Sequence, residues 1–163
     1  MVTKQVTDSV ATLETGKVPE WISDHLRAYR ESGGTVGHYW DSTEFGGDGL
    51  QTCLLLKTVG RRTGKTYVHP LLYGQDGKNY VIVGSKGGAD THPSWYFNLL
   101  ATPTVEVQVG PDELQVQATL ATGAERARLW ALMTGVYPPY VDYQARTTRE
   151  IPLFSLAPLA AGS

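Results

Sequence analysis

Thr104-Val-Glu-Val-Gln-Val109 is followed by the turn Gly110-Pro-Asp112 and then by Leu114-Gln-Val-Gln-Ala-Thr-Leu120. In the first run, three valines alternate with Glu106 and Gln108, which is the period of two expected of a strand with one face in water. The second run is again rich in apolar and β-branched residues. The pattern predicts two antiparallel strands joined by a tight turn.

The rest of the chain repeats this pattern and adds a few helices. Three more runs are strand-like and end at Gly, Pro or Asp: 52–58, 66–73 and 79–84. Gln75-Asp-Gly-Lys78 carries the Asp-Gly signature of a hairpin turn. Helices are predicted at 19–31, at 93–101, from the capping-box motif Thr122-Gly-Ala-Glu125 to about 134, and at 139–145, with a long loop at 35–50. Short strands with few helices between them predict a mainly β, α+β domain built on a small antiparallel barrel.

Composition points to one self-contained domain. The chain has 163 residues, of which 41% are hydrophobic. Residues 1–18 lack the apolar run of a signal peptide, and no run reaches the roughly 18 apolar residues of a membrane span. The lone Cys53 excludes an internal disulfide framework, so a reducing cytoplasm is the expected compartment. The four histidines lack metal-ligand spacing, so no metal site is predicted.

Positive charge is concentrated in one part of the sequence. The net charge is −2, which gives no reason to expect a nucleic-acid partner. Residues 49–89 nevertheless hold six basic side chains and one acidic one, Asp76. The basic residues are Lys57, Arg61, Arg62, Lys65, Lys78 and Lys86. This distribution is either an uneven surface charge or a groove for a small polyanion.

Two basic glycine loops lie in this segment. Gly60-Arg-Arg-Thr-Gly-Lys-Thr66 is not a P-loop, because three rather than four residues separate its glycines and a strand follows it. It is either a plain basic hairpin loop or a clamp for phosphate or carboxylate. Ser85-Lys-Gly-Gly88 lies between a buried strand and a helix that opens at Pro93. It is either a simple connection or an anion site with free backbone N–H groups.

A tyrosine cluster follows the helix predicted from 122 to about 134. In a helix over 139–145, Tyr140 and Tyr143 would share a face, with Tyr137 at its N-terminal edge. The cluster either packs onto the barrel or walls a pocket for a flat organic substrate, with phenol groups as donors. The chain contains no Gly-x-Ser-x-Gly elbow, so hydrolysis by a catalytic triad is unsupported.

Several longer motifs, in this order, resemble the deazaflavin-dependent nitroreductase family. They are Leu54 to Lys65, His69-Pro-Leu-Leu-Tyr73, Ser85 to Leu99, Pro103 to Gly110, Tyr137-Pro-Pro-Tyr-Val-Asp-Tyr-Gln144 and Arg149-Glu-Ile-Pro-Leu153. The resemblance implies a split β-barrel of the FMN-binding type over residues 33–158, after a tail and helix at 1–32 and before a tail at 159–163. It also implies the cofactor coenzyme F420, a deazaflavin with a phospholactyl–oligoglutamate tail. Family members come from actinobacteria, mostly mycobacteria.

The same resemblance implies an oxidoreductase. Reduced deazaflavin would pass hydride to quinones, nitroaromatics or activated enones. The alternatives are an FMN-dependent split-barrel oxidoreductase and a non-catalytic F420-binding protein. A menaquinone acceptor would bring the protein to the inner face of the cell membrane as a peripheral protein.

Carried onto this sequence, the resemblance implies a site made of two loops, one helix and a tyrosine cluster. The residues that would clamp the phosphate and tail are Arg61, Arg62, Thr63, Gly64 and Lys65. The residues that would contact the ring and the phosphate are Pro70, Ser85, Lys86, Gly87 and Gly88. The wall of the cleft would consist of Trp95, Tyr96 and Asn98. The substrate pocket would be Tyr137, Tyr140, Tyr143 and Leu72. Tyr140 and Ser85 are the catalytic candidates, because either hydroxyl, or water, can supply the proton that follows hydride. Members that activate nitroimidazoles carry Tyr where this chain has Leu72, which argues against efficient activation here.

Overall fold

A computed structural model of the chain describes residues 29, 31–32, 39–41 and 50–159. Its strands are β1 (Tyr39–Asp41), β2 (Leu50–Val59), β3 (Thr66–Leu72), β4 (Gly74–Asp76), β5 (Asn79–Val83), β6 (Thr104–Val109), β7 (Asp112–Leu120) and β8 (Leu153–Pro158). Its helices are α1 (Ser94–Ala101), α2 (Gly123–Val136) and α3 (Pro139–Ala145). The predicted strands and the helices α1, α2 and α3 are confirmed, with small shifts at their ends. None of the helices in these described segments has the length and hydropathy of a membrane span.

The strands form one antiparallel sheet in the order β1-β2-β6-β7-β8-β5-β4, with β3 paired to β2. The predicted hairpin over 104–120 has the register Val105↔Val116 and Val107↔Leu114. Val105, Val107 and Val116 are buried together, as the alternation in the sequence predicts. The sheet confirms the predicted mainly β, α+β class.

Two apolar clusters lie on opposite faces of β5 and β8. Ile82 and Phe154 point into the barrel core, whereas Val81 and Leu153 point toward α2 and α3. Because both faces of β8 are covered, it shows no polar alternation. Local pattern therefore predicts no strand at β8, although β8 pairs with both β5 and β7.

Two other expectations change, at the start of α2 and in the predicted loop. Thr122 makes no side-chain cap to α2, so the predicted capping box does not form. Glu125 pairs instead with Arg128, which also binds Asp76 through two hydrogen bonds of 2.7 and 2.9 Å. β1 lies within the predicted loop at 35–50. The Asp-Gly hairpin is confirmed and pairs β4 with β5. The predicted helix at 19–31 falls outside the described residues, except that residues 29 and 31 are helical.

Candidate cofactor and substrate site

The basic loop, residues 60–65, is a closed turn between β2 and β3. Gly60 N donates to Lys65 O at 2.8 Å, and Gly64 N donates to Gly60 O at 2.9 Å. Gly64 has a φ of +72°, which favours glycine. Arg61, Arg62 and Lys65 are all exposed on this turn. An ordered backbone therefore presents three cations to solvent.

Helix α1 holds the basic loop in place. The backbone N–H of Arg61 donates to Asn98 Oδ1 at 3.1 Å. The Arg61 guanidinium lies 4.7 Å from the centroid of the Phe97 ring, in cation–π geometry. Asn98, which was predicted to wall a cofactor cleft, thus holds the basic loop through a hydrogen bond.

A cavity of about 190 Å³ lies between the loop and the start of α1. It is lined by Gly60, Arg61, Arg62, Thr63, Tyr67, His69, Ser94 and Asn98. The exposed arginines lie at its mouth, and the buried His69 and Asn98 lie at its inner end. Ser94 is the first residue of α1, where the helix dipole favours negative charge. The volume and the donors suit one phosphate or carboxylate group.

The glycine turn, residues 84–89, follows β5. Ser85 is buried, and the next three residues have positive φ: Lys86 at 47°, Gly87 at 65° and Gly88 at 83°. A left-handed conformation at a lysine costs roughly 1–2 kcal/mol, so the surrounding structure must impose it. A right-handed residue followed by a left-handed one, as at Ser85 and Lys86, is the local geometry of anion-binding backbone turns. Lys86 Nζ donates to Thr91 Oγ1 at 3.2 Å.

Arg149 organises the glycine turn and was not identified from the sequence. Its guanidinium donates to Ala89 O at 2.7 Å, Ser85 O at 2.7 Å and Gly84 O at 3.1 Å. It also meets His92 Nδ1 at 3.0 Å, so this nitrogen accepts. Burial lowers the pKa of Arg149 and of His92, and Arg149 lowers the pKa of His92 further. No local pattern marks Arg149, because its partners lie 57 to 65 residues earlier.

Two residues expected at the cofactor do not line this cavity. Trp95 is buried in the barrel core beside Phe154, with ring centroids 6.0 Å apart. Pro70 pairs with Leu55, so it lies on the face of β3 opposite His69 and the cavity. Tyr96, in contrast, is half-buried near the turn and stacks on His92 at 4.1 Å.

The predicted substrate residues lie together against the other side of the glycine turn. Tyr137 and Tyr143 share a hydrogen bond of 3.1 Å between their hydroxyls, and the Tyr140 ring lies 4.8 Å from that of Tyr137. Leu72 packs against the same cluster. Burial raises the pKa of Tyr137 and Tyr140 above its ordinary value, so both phenols keep their protons at neutral pH.

Direct contacts connect these parts. The basic loop contacts Phe97 and Asn98 of α1, and α1 contacts His92 through Tyr96. His92 contacts Arg149, and Arg149 binds the glycine turn, which packs against α3. The sequence-predicted clamp, turn and tyrosines therefore belong to one continuous band across the protein.

Comparison with known proteins identifies the family. The sequence matches the family described as F420H(2)-dependent quinone reductase over residues 21–158. An F420H(2)-dependent quinone reductase of Mycobacterium tuberculosis (strain ATCC 25618 / H37Rv) is 38% identical over 135 residues, covering 81% of this chain and 86% of that protein.

Two solved structures are similar in fold and sequence. An F420-H2 dependent reductase is 43% identical with a TM-score of 0.60, covering 64% of this chain and 92% of its own. A structure described as a domain-swapped dimer is 35% identical with a TM-score of 0.62, covering 84% of this chain and 97% of its own. The fold is thus the split barrel expected from the resemblance. The chain belongs to the F420H(2)-dependent quinone reductase family, whose members are oxidoreductases that use coenzyme F420.

Proposed function

We propose that this chain holds reduced coenzyme F420 across the band formed by the basic loop and the glycine turn, and that it reduces a quinone bound beside Tyr140. The observation that carries the proposal is the continuity of the band. One row of contacts joins the exposed cations near the cavity to the buried tyrosines through α1 and Arg149. A cofactor with an anionic tail and a redox ring needs these two environments side by side.

The chemistry of the donor set fits the cofactor. Arg61, Arg62 and Lys65 present charged donors without acid partners in the described chain, which suits the phosphate and carboxylates of the tail. The left-handed residues of the glycine turn and Lys86 add donors nearer the tyrosines. Net charge and composition give no competing polyanion such as nucleic acid.

The coenzyme, when bound, supplies the hydride, and the protein supplies position and protons. Tyr140 is protonated at neutral pH and is our candidate to donate the proton to the reduced acceptor. The hydrogen bond between Tyr137 and Tyr143 fixes the rings around it. Ser85, buried at the start of the turn, is the second candidate donor.

A flat, electron-poor acceptor suits the aromatic walls. A quinone is the first choice, and nitroaromatics and activated enones share its shape and electron demand. Leu72 packs on the tyrosine cluster and offers no hydroxyl at that wall. Nitroimidazoles are therefore proposed to be poor substrates.

Steady-state turnover with reduced F420 and menadione tests the proposal. We expect loss of reduced F420 to depend on both protein and menadione, and FMN to bind weakly. Tight FMN binding with no F420 binding below about 100 μM would favour an FMN enzyme instead. F420 binding without menadione reduction, unchanged by Tyr140→Phe, would favour a non-catalytic F420-binding protein.

A further inference from the structure

A chain of hydrogen bonds runs from the basic loop to His69. Arg61 N meets Asn98 Oδ1 at 3.1 Å, Asn98 Nδ2 meets Thr58 Oγ1 at 3.1 Å, and Thr58 Oγ1 meets His69 Nε2 at 3.2 Å. Thr58, His69 and Asn98 are all buried and come from β2, β3 and α1 respectively. The chain therefore ties three elements together at the inner end of the cavity.

Chemistry fixes the direction of the first two bonds. A backbone N–H can only donate, so Asn98 must turn its oxygen to Arg61 and its amide nitrogen to Thr58. The Thr58 hydroxyl accepts from Asn98 and still has one hydrogen to give and one lone pair with which to accept, so its bond to His69 Nε2 can run in either direction. When Thr58 donates, Nε2 is the acceptor of the imidazole and the ring hydrogen lies on Nδ1.

His69 Nδ1 has no hydrogen-bond partner within the described part of the chain. The side chain is 1% exposed, so bulk solvent does not satisfy it, yet the residue lines the cavity. Buried polar groups are nearly always paired, and with the ring hydrogen on Nδ1 this nitrogen calls for an acceptor oxygen. The cations at the mouth indicate that this oxygen is anionic.

We propose that Thr58 donates to His69 Nε2 and that His69 is a cofactor-binding residue whose Nδ1–H donates to an anionic oxygen, phosphate or carboxylate, of the coenzyme tail. The inference rests on the proposed function, because it takes F420 as the ligand. Burial lowers the pKa of His69 to about 4, so the ring is neutral and keeps a single hydrogen near neutral pH. Its charged neighbours at the cavity are Arg61 and Arg62.

Two substitutions of His69 test the roles of its two ring nitrogens separately. The amide of His69→Asn reaches the position of Nδ1, whereas that of His69→Gln reaches the position of Nε2. In a fluorescence titration with F420, we expect His69→Gln to weaken binding about tenfold or more, as for a hydrogen bond to a charged group. His69→Asn should restore most of that loss. Equal affinities in the two variants, or a larger loss in His69→Asn, would overturn the proposal; thermal unfolding checks that both variants fold.

Shortened ligands identify the oxygen. If the acceptor is the phosphate, the His69→Gln loss persists with phospholactyl deazaflavin that lacks glutamates. If the acceptor is a carboxylate, the loss disappears with that ligand. A loss that persists with the deazaflavin riboside, which has neither group, would overturn the assignment to the tail. Wild-type protein that fails to bind F420 would instead overturn the proposed function itself.

Histidine NMR gives a readout that does not depend on activity. In ¹⁵N-labelled protein without ligand, His69 should show its hydrogen on Nδ1. Addition of F420 should shift that Nδ1–H resonance, with His69→Gln providing its assignment. A hydrogen on Nε2, or an Nδ1–H resonance that saturating F420 leaves unmoved, would contradict the proposal.

Discussion

Gly88 lies directly against the backbone of Tyr143. A Cβ at Gly88 would stand 2.7 Å from the Tyr143 carbonyl oxygen and 3.0 Å from its Cα. Gly88 belongs to the glycine turn and Tyr143 to α3. The absence of a side chain at Gly88 thus sets the spacing between the proposed cofactor turn and the tyrosine cluster.

Gly88→Ala should therefore destabilise the fold through two effects. The residue has a φ of +83°, and its new methyl group would overlap backbone that cannot swing away. We expect a loss of about 2–4 kcal/mol in the free energy of unfolding, measured by denaturant titration. Gly77→Ala is the matched control, because Gly77 has a φ of +62° and open space around it. Equal losses in the two variants would show that the Tyr143 contact carries no weight.

Arg149→Lys tests the support beneath the glycine turn. Lysine keeps the charge but cannot donate at once to Gly84, Ser85 and Ala89, so the turn should lose its fixed geometry. We expect about tenfold weaker F420 binding by fluorescence titration. Arg128→Lys is the control, since Arg128 lies on the surface with Asp76 and Glu125. Unaltered F420 affinity in Arg149→Lys would show that the hydrogen bonds of Arg149 to the glycine turn do not support cofactor binding.

Tyr140→Phe tests the proton donor. The phenyl ring keeps the packing with Tyr137 and Tyr143, so F420 affinity and thermal stability should change little. Loss of the hydroxyl should lower kcat for menadione about tenfold or more. Because burial raises the pKa of Tyr140, the wild-type kcat should show no fall from this group up to about pH 9. Full activity in Tyr140→Phe would transfer the role to Ser85 or water.

The lowered pKa of His69 predicts that the free energy of unfolding decreases at acidic pH. Burial lowers its pKa from the ordinary 6.5 to about 4, so the unfolded chain binds the proton more readily than the native state between these values. Stability from this group is complete above pH 6.5 and is lost as pH falls toward 4, by roughly 3 kcal/mol. Denaturant titrations across this range should show the loss, and His69→Gln should reduce it. The same slope in both proteins would mean that His69 titrates normally.

The hairpin over 104–120 illustrates what local pattern can predict. Its valines alternate with polar residues and Val105 and Val107 are buried, so sequence and structure agree on strands and turn. The face expected to be wet is not wet at Gln108, which is buried and donates to Gly110 O. The same logic located α1 and α3 and brought the tyrosines together. β8 was not predicted, because Leu153 and Phe154 are buried on opposite faces of the strand and no alternation of apolar and polar residues remains.

The candidate site likewise has one part that local sequence predicts and another part that it does not. The basic loop is local, and its glycines and cations are readable from the sequence. Arg149 and the inward direction of His69 depend on contacts between distant segments, which no local pattern encodes. The family resemblance indicated Trp95 and Pro70, but only the fold shows that one enters the core and the other faces away from the cavity.

In our proposal, the basic loop binds the anionic tail of F420. A comparison of Arg61→Ala with wild type tests this binding in fluorescence titrations against F420 and against the deazaflavin riboside without phosphate or glutamates. We predict that Arg61→Ala weakens F420 binding about tenfold at low salt, reduces its salt dependence and leaves riboside binding unchanged, while Lys78→Ala alters neither. Equal F420 affinity in Arg61→Ala and wild-type protein at low salt would contradict the account.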